Sequence, residues 1–156
     1  MLKQLVLGAA FMAFGFGAAA ANEGPLTNVL TQYVITVDES GEETRTQSED
    51  ASPGEMVEYV MSYENTGEGE LSGLVISAPV PVAMTFVAGS AVTAEDATFE
   101  VSVDEGATWS TTPVMIATED GEKEVPVSEY DFVRWMPKGA IEGGERWDFT
   151  YRVSVQ

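Results

Sequence analysis

Apolar and polar side chains alternate with a period of two over most of this chain between residues 57 and 155. Val57, Tyr59, Met61 and Tyr63 alternate with Glu58, Val60, Ser62 and Glu64, which predicts a half-buried strand. Asn65-Thr66-Gly67 ends it, because Asn bonds its own backbone in turns and Gly reaches positive φ without steric cost. Leu74 and Ile76 lead a second strand, stopped by Pro79 and Pro81, which lack a ladder donor. Met84, Phe86 and Ala88 form a third short alternation, and Phe99, Val101 and Val103 a fourth. The latter runs into the hairpin-type turn Asp104-Glu105-Gly106-Ala107, with Trp109 beyond it. Residues 114–117 are a short apolar run, Glu119-Asp120-Gly121-Glu122 a turn, and residues 130–136 another strand. The last alternation is the strongest: Trp147, Phe149, Tyr151, Val153 and Val155 against Arg146, Asp148, Thr150, Arg152 and Ser154. Each of its large apolar side chains contributes roughly 1.5–3 kcal/mol when fully buried. A helix would scatter these five round its circumference.

Upstream, residues 29–37 read as a first strand with Tyr33, Ile35 and Val37 on one face. The acidic stretch 38–52 contains a Ser40-Gly41 turn and a candidate edge strand over 44–47, and Pro53-Gly54 marks the next turn. No amphipathic helix and no internal repeat accompanies these strands. Seven to nine short strands separated by turn signals predict an all-β fold, a two-sheet β-sandwich of immunoglobulin type.

Residues 1–21 carry a different pattern. Lys3 precedes an apolar stretch over 5–16, and Ala18-Ala19-Ala20-Ala21 supplies the small residues a signal peptidase accepts. The expected organisation is a signal peptide over 1–21, a linker over 22–28 and one β-domain over 29–156. The apolar run is short for a bilayer span, so no membrane span is expected in the processed chain.

Charge and composition narrow the function. Seven basic residues against 26 acidic ones give a net charge of −19, a surface that repels nucleic acid and anionic lipid. The chain has no His and no Cys. That removes the commonest general base, thiol nucleophiles and ordinary zinc ligation. No Gly-rich phosphate loop and no nucleophile-elbow serine is present. No catalytic or cofactor-binding residue is therefore assigned. Calcium is the one ion to consider, since acidic turns supply hard oxygen ligands. The candidate clusters are Asp38-Glu39 with Glu42-Glu43, Glu64 with Glu68 and Glu70, and Glu119-Asp120 with Glu122. None has the ordered loop of a dedicated calcium site. Arg134 beside Trp135 reads as a strand charge next to a core aromatic.

Several of these segments together resemble a known family. Pro53-Gly54-Glu55-x-Val57-x-Tyr59, Tyr63-x-Asn65-Thr66-Gly67, Pro79-x-Pro81 and Met84-Thr85-Phe86-Val87-x-Gly89-Ser90-Ala91 occur in order. Phe99-x-Val101-Ser102-Val103-Asp104-x-Gly106-Ala107-Thr108-Trp109, Val133-Arg134-Trp135 and Gly143-Gly144-Glu145 follow. This series resembles the conserved repeat domain of unknown function number eleven. Ala78 and Glu105 depart from the family's usual pattern. The resemblance implies an immunoglobulin-like sandwich in an exported or surface protein of bacteria or archaea, with no catalytic residues to transfer.

The resulting expectation is an exported, non-enzymatic module with a structural or adhesive role at the cell envelope, in the periplasm, on the surface or outside the cell. Its partners are proteins or further copies of itself. Two alternatives follow from the same features. One is a self-assembling fibre or surface-layer subunit, with residues 28–37 as a donated strand. The other is a soluble periplasmic partner of a larger surface or secretion assembly.

Overall fold

The computed structural model describes residues 24–156; the expected signal peptide over 1–21 and the first residues of the expected linker lie outside the described residues. Among the described residues the regular structure is antiparallel β-sheet, apart from one 3-10 turn. Its strands are β1 (Leu26–Val37), β2 (Glu43–Gln47), β3 (Met56–Asn65), β4 (Ile76–Pro79), β5 (Met84–Phe86), β6 (Val92–Thr93) and β7 (Ala97–Ser102). β8 (Met115–Thr118), β9 (Gly121–Glu124), β10 (Phe132–Pro137) and β11 (Arg146–Val155) complete the order, with a 3-10 turn at Val127–Glu129.

The larger sheet has the order β2-β1-β3-β11-β5, with β6 also paired to β11. The smaller sheet has the order β4-β10-β7, and β8 and β9 form a separate hairpin. The two strongest alternations, β3 and β11, lie side by side in the larger sheet, with Tyr59 opposite Tyr151 and Met61 opposite Phe149. Their inward residues Val57, Tyr59, Trp147, Phe149, Tyr151 and Val153 are buried. The smaller sheet contributes Ile76, Ala78, Val101, Val133 and Trp135 to the same core.

Trp135 packs against aromatic rings from both sheets. Its ring lies 5.3 Å from Phe99 within its own sheet, and 5.7 Å from Phe149 and 6.1 Å from Tyr151 of the other. The Tyr151 hydroxyl donates to the Pro79 carbonyl at 2.8 Å, bonding β11 to β4. Burial pushes this phenol well above its ordinary pKa.

Differences from the sequence reading follow from exposure. The first strand begins at Leu26, inside the expected 22–28 linker, because residues 26–28 pair with Asn65, Glu64 and Tyr63. The expected donor segment 28–37 is already part of the chain's own larger sheet, paired with β3 as far as Ile35 and with β2 from Tyr33 onward. Among the described residues there are eleven strands, against the expected seven to nine. The additions are the two-residue β6 and the charged β9, too short or too solvated to show an apolar period. Gly121 and Glu122, read as turn, open β9. The apolar run at 114–117 splits, with Val114 in the core and β8 exposed throughout. Leu74 precedes β4 instead of leading it.

Candidate functional site

The outward face of the larger sheet forms a groove of about 720 Å³ between the β1–β2 side and the segment 87–92. Alternation would make this the solvated face of β3, yet Glu58 is only 6 % exposed and Ser62 is equally covered. Arginine side chains cover them. Glu58 accepts from Arg45 Nη2 at 2.7 Å and from Arg152 Nε at 2.8 Å. Arg152 also forks onto Glu43, with Nη1 and Nη2 donating at 3.0 and 2.9 Å. Arg45 additionally lies 4.3 Å from the centre of the Tyr33 ring. Farther along, Arg146 donates to Ser62 Oγ at 2.6 Å and to Asp148 at 3.3 Å.

Three of the chain's seven basic residues thus gather on one face of a protein with net charge −19. Each is matched by a carboxylate, which leaves the groove locally neutral. The Arg152 hydrogen bond, with its charge, holds the Glu43 carboxyl below its ordinary pKa. Glu43 and Glu58 raise that of Arg152. These carboxylates are occupied as ion-pair partners, and the hydroxyls of Ser62, Ser90 and Thr150 have no imidazole to activate them. The arrangement offers hydrogen bonding and shape, the chemistry of a binding surface.

The acidic clusters named from sequence are used locally. Asp38 Oδ1 accepts from the Ser40 hydroxyl at 2.6 Å and from the Ser40 and Glu42 N–H groups at 2.8 and 3.0 Å. The Ser40 hydroxyl bond leads in lowering its pKa. Glu43 is turned towards Arg152. Glu64, Glu68 and Glu70 are exposed around the turn after β3, and Glu119, Asp120 and Glu122 sit on the β8–β9 hairpin. Among the described residues, no group of three or more carboxylates is placed to hold a metal ion. In the turn after β7, Asp104 accepts from the Thr108 hydroxyl and N–H at 2.6 and 2.8 Å, which lowers its pKa. Asp131 Oδ2 accepts the Glu105 N–H at 2.5 Å. Arg134 pairs with Glu100 and lies 4.2 Å from the centre of the Trp109 ring.

Turn geometry alone does not account for Asn65. Its side chain is fully buried, and Nδ2 donates to the carbonyls of Gly69 at 2.7 Å and Ile141 at 3.0 Å. Its Oδ1 accepts the Gly67 N–H at 3.0 Å, while its backbone bonds Gly144 and Glu145. Gly143 sits against this turn so closely that a Cβ there would lie 2.6 Å from the Gly67 carbonyl oxygen. Asn65-Thr66-Gly67 and Gly143-Gly144-Glu145, far apart in sequence, therefore form one structural knot at the end of the larger sheet. Its signal in the sequence was the pairing of an Asn-x-Gly turn with a Gly-Gly turn directly before the final strand.

Among the described residues, no helix is long and apolar enough to cross a membrane. Comparison with known proteins gave no matching family model, no matching curated protein and no matching solved structure.

Proposed function

We propose that this chain is an exported, non-catalytic β-sandwich of immunoglobulin type, related to the conserved repeat domain of unknown function number eleven, with a structural or adhesive role at the cell envelope. The observation that carries the non-catalytic part is the groove on the larger sheet, where each arginine and its carboxylate are committed to one another. A general acid or base needs a free proton site, and these groups are taken up by hydrogen-bonded ion pairs, with Arg152 and Glu43 each favouring the other's charged form. The shared core around Trp135, with inner faces from both sheets, supports the sandwich reading. Export rests on the pattern of residues 1–21.

Fractionation of cells expressing the full chain, with N-terminal sequencing of the product, tests this reading. The expected product lies in the envelope or medium and starts at residue 21 or 22. An unprocessed chain in the cytosol would overturn export. An activity that survives purification and disappears with one carboxylate substitution would overturn the non-catalytic role.

A second reading, self-association, is favoured over the soluble-partner alternative by one observation. The outer edge of β1 is open at its N-terminal half, since β2 pairs only with Tyr33 and the residues after it.

A further inference from the structure

We propose that the open edge of β1 is a homodimer contact, in which residues 26–30 pair antiparallel with the same residues of a second copy; this rests on the self-association reading and deepens it. The direction of the backbone groups is fixed by two bonds already made. Ser48 N–H donates to the Gln32 carbonyl, so Gln32 faces the β2 side of β1. Backbone direction alternates along an antiparallel strand, so Leu30 and Asn28 face that side too. There, among the described residues, no strand meets them. The Asn65 backbone bonds towards Gly144 and Glu145 and not towards Leu26, which gives the same parity from the other end of the strand.

This open ledge is about 20 Å long, the length of an ordinary strand. Folded proteins blunt such edges with charge, proline or a covering segment. Three other edges among the described residues are blunted. β4 ends in Pro79 and is followed by Pro81, β2 carries Glu43 and Arg45, and Ser110 bridges to Val101 on β7. The ledge itself carries no charged residue and no proline, although Pro25 precedes it and Glu49 stands beside Leu30 and Thr31. All twelve residues of β1 are uncharged, in a chain of net charge −19.

Two large apolar side chains on the ledge are exposed, one on each face. Val29 is 62 % exposed on the outward face. Leu30 points to the same face as Met61, its partner on β3, yet is 52 % exposed because the core does not extend beneath it.

The occupant is a second copy for reasons of charge and symmetry. Copies of so acidic a chain repel over most of their surface, and this uncharged edge is where they approach at least cost. An antiparallel pair of identical strands is self-complementary about a two-fold axis. Centred on Asn28, the pairing sets Leu30 opposite the other copy's Leu26, short of the place Ser48 already holds beside Gln32, and satisfies the open N–H and C=O groups of Leu26, Asn28 and Leu30. It also sets Val29 opposite the other copy's Thr27, with the two Val29 side chains on the same face. The contact is small, so the dimer is weak and concentration-dependent. Glu49 stands beside Leu30 and Thr31, and both copies carry the same net negative charge, so added salt strengthens the contact.

Sedimentation velocity on protein purified from cells expressing the full chain tests this, up to roughly 1 mM and with increasing salt. Three results are expected. The protein dimerises, the amides of Asn28 and Leu30 become protected from hydrogen exchange as it does so, and Val29→Lys abolishes the dimer. Mixing Val29→Lys with Val29→Glu then gives a heterodimer by native mass spectrometry, which a fold defect cannot produce. A monomer at every concentration overturns both this contact and the self-association reading. A dimer that tolerates Val29→Lys and leaves the Asn28 and Leu30 amides unprotected overturns the β1 contact alone.

Discussion

Replacing Asn65 with Asp changes little in volume but reverses the hydrogen-bonding sense at the knot between β3 and β11. The amide nitrogen that donates to the Gly69 and Ile141 carbonyls becomes an oxygen facing two oxygens. The site is fully buried, so the ionised form loses its hydration as well. The native state escapes both penalties by keeping the carboxyl protonated, which restores one of the two donor bonds. The unfolded chain releases that proton with a pKa of about 3.9. The native state then binds more protons than the unfolded one, so the variant's stability falls as pH rises above about 4. The slope is about 1.4 kcal/mol per pH unit while the native carboxyl stays neutral, which reaches about 4 kcal/mol at pH 7. The second donor bond adds about 1 kcal/mol at any pH. A total near 5 kcal/mol is comparable with the whole stability of many domains. Urea unfolding of wild type and Asn65→Asp between about pH 5 and pH 7 measures the gap, which should widen by close to 3 kcal/mol. Asn65→Ala, which has no titrating group, should show a gap that does not change with pH. A pH-independent gap for Asn65→Asp, or one below about 1 kcal/mol at pH 7, would refute the account of Asn65 as a buried donor.

Gly143→Ala should cost about 2–4 kcal/mol in urea unfolding, because its Cβ meets the carbonyls of Gly67 and Glu68. The neighbouring Gly144→Ala has open space around it and a φ of +79°, and should cost only about 1–2 kcal/mol. Glu58→Gln leaves two arginines without their shared carboxylate and should cost about 1–3 kcal/mol, whereas Asp96→Asn, in an exposed pair with Lys138, should cost less than about 0.5 kcal/mol. The carboxyls of Asp38, Glu43, Asp104 and Glu145 are held below their ordinary pKa, so the native state binds fewer protons there. Their stabilisation is present above the ordinary carboxylate range and disappears as pH falls through it, and an acid titration followed by circular dichroism should show Glu43→Gln to be less acid-sensitive than wild type.

The strands that build the core were legible because their side chains obey one constraint. β3 and β11 each bury every second residue against the same layer, and that constraint is written as period two in the sequence. The β8–β9 hairpin escaped because its eight residues are exposed, so nothing forces a period on them. The start of β1 was missed for a related reason. Leu26, Thr27 and Asn28 lie opposite Asn65, Glu64 and Tyr63 of β3 and bury little. Glu58 illustrates a different limit. A charged residue in an alternating strand reads as solvated, and its cover comes from arginines on β2 and β11 whose approach depends on strand order. For Asn65 the local half of its role was visible in the turn that follows it. The bond to Ile141 was not, since a separation of 76 residues leaves no local trace.

The position of β11 sets an order of events during synthesis. This last strand lies between β3 and the short strands β5 and β6, and supplies four buried residues to the middle of the core. A nascent chain lacking its final segment has β3 with one side bare and Trp135 without Phe149 or Tyr151 to pack on. Closure of the core must therefore wait until residue 155 or so has left the ribosome. Until then β3 and Trp135 lack a strand against which both pack.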